Sequence, residues 1–444
     1  MLITRATLLD GTRCDIRVAQ TITDVAPRLR ALTDEHVYDA ALGTVLPGLH
    51  DHHVHLRSAA AALDSVAAGP PQVRDVEALR HALRAAVPGA DGWLRAVGYH
   101  DSVAGDLDRR LLDDVSPQVP VRVQHRSGAM WILNSAALQR IGAPDHPDGR
   151  FFRADPAIPR SAAPGLRRLS EALTARGVTG VTDATPGYTR TDVENFTAAR
   201  RSGDLRQRLH CMAAAGTPAT AHVSIGPAKF ILDDTTLDLD ALCHDIAANH
   251  AAGHPVAVHC VTASQLVVAV AALRATGVHP GDRIEHAAMV PSDCIADVAG
   301  LGVTVVTQPN FVAERGDEYL TDVPPSEYEQ LWRVASLRAA GIPVALSTDT
   351  PFGDGDPWAS MRAAVTRKTP GGVVLGATEC VTPATALAMF LGAADTPARP
   401  RRVAVGEPGD LCVLTGTPAE VLAELDGDRV VATIIGGQEQ PSGR

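Results

Sequence analysis

The chain has 444 residues, enough for two or three domains or for one large barrel with attachments. Forty basic against fifty-one acidic residues leave a formal charge of −11, which argues against nucleic acid or an anionic membrane surface as a partner. Hydrophobic residues at 45% and charged ones at 20% describe a packed globular protein and exclude a disordered one.

Taken from the N-terminus, residues 1–46 read as short strands at 1–9, 14–19 and 37–40, with Asp10-Gly11 as a turn. Residues 400–444 read the same way, with strands at 410–414 and 429–435 closed by Gly436-Gly437. Two β-rich ends flanking a long middle predict one small composite domain, a β-sandwich built from residues 1–46 and 400–444. The middle alternates strand and helix. Its candidate strands are 43–48, 177–183, 208–214, 228–233, 255–260, 283–288, 303–308 and 343–348, mostly short apolar runs of the kind buried on both faces of a parallel sheet. Helices are predicted at 239–252, stopped by Gly253, and at 263–276, stopped by Gly277. Eight strands close a parallel (β/α)8 TIM barrel, here residues 47–56 and 166–399 of an α/β protein. Residues 57–165 break that rhythm and read as an α/β insertion after the first barrel strand, a lid for the barrel mouth. It carries its own helix around Val76, Leu79 and Leu83, a stop at Pro88-Gly89, and strands at 93–98 and 120–124.

The strongest chemical signal is Pro47-Gly48-Leu49-His50-Asp51-His52-His53-Val54-His55. Residues two apart on an extended strand point the same way, so His53 and His55 can share one metal ion. A His-x-His alone is weak evidence, but four later strands each carry a further residue able to bind metal: Lys229, His259, His286 and Asp349. Thiolate ligation is excluded, because the seven cysteines (14, 211, 243, 260, 294, 380 and 412) contain no Cys-x-x-Cys pair. Their scatter fits a reducing compartment. No apolar run reaches the length of a bilayer span, and Met1-Leu2-Ile3-Thr4-Arg5 lacks a signal-peptide build, so the expected location is cytoplasmic. Lysine occurs only at 229 and 368 among the forty basic residues. Its persistence at 229, within an apolar stretch, calls for an amine where arginine would not serve.

With these residues in order, the chain resembles the metal-dependent amidohydrolase superfamily, and within it amidohydrolase family 3, the branch that includes N-substituted formamide deformylases. The resemblance rests on Pro-Gly-x-x-Asp-x-His-x-His and the later Lys, His, His and Asp. It is supported by Gly98-Tyr99-His100-Asp101, Asn134-Ser135-Ala136-Ala137-Leu138, Gly177-Val178-Thr179-Gly180-Val181-Thr182-Asp183-Ala184 and Arg283-Ile284-Glu285-His286-Ala287. It spans nearly the whole chain. One departure is Ser127-Gly128-Ala129, where the family usually has Asp-Gly-His, with His125-Arg126 just upstream.

The resemblance implies two divalent metal ions, expected as zinc. His53, His55 and Asp349 would hold one and His259 and His286 the other, with Lys229 bridging them as a carbamate formed with carbon dioxide. Asp349 would also be catalytic, taking a proton from a metal-bridging hydroxide-forming water and delivering it to the departing nitrogen. Asp51 is expected to fix the turn or hydrogen-bond behind the ligands, and His50 and His52 to face away from His53. His100, His125, Arg126, Asn310 and Phe311 are candidate substrate-binding residues, Trp131 a packing residue of the insertion, and Cys260 buried filler.

The expected reaction is hydrolysis of the C–N amide bond of an N-acyl or N-formyl amine. The alternatives are a cyclic amide or imide hydrolase or a lactonase on the same centre, then a heteroaromatic deaminase, then a metal-free scaffold. Deaminating branches resemble one another in carrying a Glu three residues after the fifth-strand His, and this chain has Thr262 there. The expected partner is a small-molecule substrate, with neither nucleic acid nor membrane, and the assembly is left open with a homodimer as a candidate.

Overall fold

The computed structural model describes residues 1–152 and 165–441, so residues 153–164 of the expected insertion and 442–444 of the expected terminal domain lie outside the described residues. The chain forms two compact units, Met1–His55 with Leu169–Arg444, and Leu56–Arg168.

In the first unit, strands from both chain ends join one mixed sheet. Leu2–Thr7 pairs with Arg13–Val18, which pairs with Ile22–Ala26, while Thr44–Pro47, Leu411–Leu414, Val430–Ile435 and Gln438–Glu439 continue the sheet on the other side. Val37–Asp39 adds on beside Leu2–Thr7. Inward residues of this sheet, among them Ile3, Ile16, Val45, Leu411 and Ile434, form one buried cluster. The expected sandwich is thus a single sheet around one core. The link is Thr44–Pro47, which bonds to the C-terminal strand Leu411–Leu414 and touches Leu2–Thr7 through Thr44, so the two terminal sets are joined through a shared strand. Ile22–Ala26 escaped the sequence reading because Thr23 and Asp24 interrupt its apolar character.

The same strand corrects the expected start of the parallel region. Residues 43–48 read as one run, yet Thr44–Pro47 belongs to the mixed sheet and the first parallel strand is Leu49–Val54. The switch falls at Gly48. A Cβ there would stand 2.1 Å from Thr179 Cγ2, so only glycine lets the chain cross onto its new neighbour.

Two parallel sheets follow. One runs Val223–Gly226, Arg208–Ala213, Val178–Tyr188, Leu49–Val54, and the other Ala228–Ile231, Val256–Cys260, Arg283–His286, Thr304–Thr307, Val344–Leu346. Val223–Gly226 and Ala228–Ile231 are interrupted only by Pro227, which has no N–H to give to a ladder. Read across that break, Lys229 lies in the last third of the run and not at a strand start. At the other seam, the Asp349 N–H donates to the His53 carbonyl at 3.0 Å and the His55 N–H to the Thr350 carbonyl at 2.9 Å. Helices Leu239–Ala251 and Ala263–Thr276 begin at Asp238 and Thr262, whose side chains accept from the N–H groups of Ala241 and Gln265. The fold is α/β, with buried parallel strands joined by helices.

The second unit has a five-stranded sheet in the order Arg150–Phe152, Met130–Leu133, Val121–His125, Leu94–Tyr99, Val66–Ala67. Among the described residues, Leu94–Tyr99 pairs only within that sheet. Leu79 and Leu83 of helix Val76–Ala85 pack on it with Leu94, Tyr99, Val121 and Ile132. Trp131 packs against a smaller cluster of Trp93, Leu133, Leu138 and Phe151, with the Arg95 guanidinium 5.3 Å from its ring centre.

Candidate metal centre

Side chains at the C-terminal ends of the parallel strands meet in one buried cluster. One ligand atom each from His53, His55 and Asp349 lie within 4.8 Å of one another. Asp349 Oδ1 is 3.3 Å from His55 Nε2 and 3.6 Å from His53 Nε2, and Asp349 Oδ2 is 3.9 Å from His286 Nδ1. The His286 ring centre stands 4.7 Å from that of His53 and 4.5 Å from that of His259. Lys229 stands opposite Ala257 on the neighbouring strand, the one that carries His259, and after burial its charge is a further cause that lowers the pKa of His53, His259 and His286.

The residues fit a metal. His53 Nε2, Lys229 Nζ and Asp349 Oδ1 are buried and have no hydrogen-bond partner among the described residues. Buried polar atoms are otherwise almost always paired, so three orphans facing one cluster point to an electrophile shared between them. Lys229 is half-buried as a residue while its Nζ is buried, so the side chain does not snorkel outward. Burial, opposed by the nearby carboxylates Glu285 and Asp349, brings its pKa down to about 8. Burial, helped by Lys229 and His55, pulls His259 down to about 3, and burial likewise drives His53 and His286 well below 6.5. The imidazoles are therefore neutral at pH 7, the form that ligates metal.

That depression has a sign. Between pH 6.5 and about 3, the unfolded chain binds a proton at His259 that the folded one refuses, so the stability it supports is present above pH 6.5 and is lost as the pH falls toward 3. Metal-free protein should show a thermal midpoint that drops across this window. A midpoint flat from pH 6.5 to 4 would contradict it.

Behind the cluster, three side chains each hold a ring nitrogen of an imidazole. Glu285 Oε2 accepts from His53 Nδ1 at 2.5 Å, the Thr185 hydroxyl lies 3.0 Å from His55 Nδ1, and Gln308 Oε1 lies 2.9 Å from His286 Nδ1. Such partners fix the tautomer and the ring angle. Glu285 is in turn paired with Arg283 at 2.7 Å, and Arg283 donates to the His52 carbonyl at 2.8 Å. These three supports were not singled out from sequence. A signal existed for Glu285: Arg283 and Glu285 stand two apart in a short, wholly buried strand, and buried charges are almost always paired. Glu285→Gln should lower metal affinity about ten- to a hundred-fold, measurable by titration of the metal-free protein.

Asp51 serves the backbone. Its carboxylate accepts from the Thr348 N–H at 3.1 Å and the Thr348 hydroxyl at 2.5 Å, tying the first parallel strand to the last. Burial, opposed by those hydrogen bonds, raises its pKa to about 7. His50 and His52 stack on each other at 4.7 Å, with His50 Nε2 on the Thr182 hydroxyl at 2.9 Å, and they stay out of the cluster. Cys260 is buried beside backbone carbonyls.

The candidate substrate residues divide. His100 and His125 belong to the second unit, with ring centres 6.1 Å apart, and each caps its own turn through Nδ1, on Ser102 and Ser127. The Arg126 N–H donates to the Tyr99 carbonyl. Asn310 and Phe311 are corrected from substrate contacts to packing residues. Asn310 is 2% exposed, and its amide is spent on Glu314, the Thr348 carbonyl and Ser360. Phe311 stacks on Trp332 at 4.8 Å under Arg315. Position after the seventh strand indicated a wall of the site, but the helix Asn310–Asp322 turns both residues inward. The residue beside the cluster is Phe352, whose ring stands edge-on to His55 at 5.1 Å.

An α/β fold with histidines and a carboxylate gathered at the ends of parallel strands defines a metal-dependent hydrolase. The chain belongs to the amidohydrolase family, whose model matches residues 36–439. It is 26% identical to the N-substituted formamide deformylase of Arthrobacter pascens in an alignment covering 98% of this chain and 94% of that one. Among solved structures, uncharacterized metal-dependent hydrolases from Pyrococcus horikoshii OT3 and Pyrococcus furiosus share its fold at 18% identity. Their TM-scores are 0.74 and 0.73, covering 94% of this chain and 97% and 99% of theirs. Atrazine chlorohydrolase TrzN from Arthrobacter aurescens TC1, solved with zinc, is similar at a TM-score of 0.56 and 16% identity, covering 99% of this chain and 94% of that one.

Proposed function

We propose that this hydrolase cleaves the C–N bond of an N-acyl or N-formyl amine, using divalent metal held by His53, His55, Asp349, His259, His286 and Lys229. The observation that carries this reading is the gathering of His53, His55 and Asp349 at the strand ends, together with buried atoms that have no hydrogen-bond partner among the described residues: His53 Nε2, Asp349 Oδ1 and Lys229 Nζ. We read the two parallel sheets as one closed (β/α)8 barrel, supported by the single-residue break at Pro227 and the backbone bonds between Asp349 and His53 and between His55 and Thr350.

Divalent ions bound there, zinc being the expected metal, would supply Lewis acidity toward the substrate carbonyl and a lowered pKa for water. Lys229, with its pKa brought down to about 8, gives up its ammonium proton more readily than an ordinary lysine; the neutral amine could then add to carbon dioxide and lose a second proton, and the resulting carbamate would offer the metal two oxygens in place of one nitrogen. Glu285, Thr185 and Gln308 hold the imidazoles in place. Asp349 Oδ1, with no hydrogen-bond partner, is the group that accepts a proton from the attacking water and returns it to the departing nitrogen. At the position where deaminating relatives carry Glu, the Thr262 hydroxyl is bonded to Asp234 at 2.7 Å and caps a helix, which favours amide hydrolysis over ring deamination. The name of the Arthrobacter pascens relative supports a formyl amide as the first substrate to try.

The deciding experiment is a metal count on purified protein followed by a panel of N-formyl amines, N-acyl amino acids, cyclic imides and lactones. About two equivalents of metal with turnover on the first two groups is the expected result. Turnover confined to imides or lactones moves the reaction to the alternative on the same centre, and absence of metal and of all turnover sinks the enzyme reading.

A further inference from the structure

The turn that carries Asp349 is held from the helix beside it. Asp349 has φ 57°, a left-handed conformation that is unfavourable for an ordinary residue and persists only where its surroundings over-determine it. Its carbonyl accepts from the Phe352 and Gly353 N–H groups at 2.8 and 3.2 Å, which closes a tight turn. On the leading side, the Asp349 N–H is held by His53 and the Thr348 N–H and hydroxyl by Asp51. On the trailing side, the holding groups come from helix Asn310–Asp322. Glu314 Oε1 accepts from the Asp354 N–H at 2.9 Å and from Asn310 Nδ2 at 2.9 Å. Asn310 Nδ2 also donates to the Thr348 carbonyl at 3.1 Å, and Arg315 donates to the Phe352 carbonyl. Gly353 lies so close that a Cβ there would meet Asn310 Nδ2 at 2.4 Å.

Resting on the reading of Asp349 given above, we propose that Glu314, with Asn310 and Arg315, is a positioning residue for the reaction: it clamps residues 348–354 so that the Asp349 carboxylate stays aimed at the metal ligands. One carboxylate oxygen serves the turn and the helix together, so its loss frees the Asp354 N–H and the Asn310 amide at once. The clamp works by accepting hydrogen bonds, which a glutamine carbonyl can also do, and so the conservative variant is expected to rescue it.

The test is Glu314→Ala against Glu314→Gln in the full chain, loaded with cobalt(II) as a visible reporter. Glu314→Ala should keep its metal content and its KM within about twofold while kcat falls about ten- to a hundred-fold, with a changed cobalt absorption spectrum. Glu314→Gln should restore both. Wild-type kcat and spectrum in Glu314→Ala, or equal damage in both variants, overturns the clamp. If Glu314→Ala does not fold, Arg315→Met at a half-buried position asks the same question of the second contact: a lowered kcat with a changed spectrum supports the clamp, and no change in either overturns it. Asp349→Asn measured alongside separates the failures. Inactive Asp349→Asn with fully active Glu314→Ala sinks the clamp alone, whereas active Asp349→Asn sinks the reading on which it rests and the clamp with it.

Discussion

Asp349→Asn should retain most of its metal while turnover falls about a hundred- to ten-thousand-fold, the range typical of lost acid–base catalysis. Asparagine keeps the size of the side chain and one oxygen able to touch metal, but its amide cannot accept a proton. Asp349 Oδ1 lies 3.3 Å from His55 Nε2 and 3.6 Å from His53 Nε2, with no hydrogen-bond partner among the described residues, so it is free to take the proton. Raising the pH should recover little, because the missing group must also return a proton to the departing nitrogen. The measurement is kcat at matched metal occupancy. Near-normal turnover would move the proton transfer to another residue.

Lys229→Ala is expected to lose both metal and activity. The amine is buried without a hydrogen-bond partner among the described residues, a costly arrangement for a lysine unless it is used. Short-chain carboxylic acids with bicarbonate should restore part of the metal content and part of the rate, because a free carboxylate can stand in for the carbamate. Metal analysis and turnover with and without added acid check this. Full metal and full rate in the variant would replace the bridged pair with a site holding one ion.

Much of this site was legible in the residues themselves. His-x-His on a strand has only one geometric consequence for its side chains, and Lys229, one of two lysines in the chain, stood out in its apolar stretch against a background of arginine. Helices such as Ala263–Thr276 were legible to the residue, because Thr262 and Gly277 are local signals that act within one turn. Boundaries that depend on a distant partner were not. Residues 43–48 form one apolar run, and nothing local says that Thr44–Pro47 pairs with Leu411–Leu414 while Leu49–Val54 pairs with Val178–Tyr188. Asn310 and Phe311 failed for the same reason: chain position put them near the site, but the helix face decided which way they point.

The division follows from the range of the forces involved. Covalent neighbours, turn residues and strand alternation act over a few positions, so the sequence alone determined the candidate metal-binding residues, the parallel strand–helix rhythm and the exclusion of thiolate and disulfide chemistry. The pairing of Glu285 with His53, the hold of Asp51 on Thr348 and the clamp of Glu314 on the Asp349 turn join residues 232, 297 and 40 positions apart or on different elements. Those contacts exist only once the strands are side by side, because a hydrogen bond is made over about 3 Å and carries no trace along the chain. Tertiary structure decided them, and with them the orientation of every ligand that the sequence could only name.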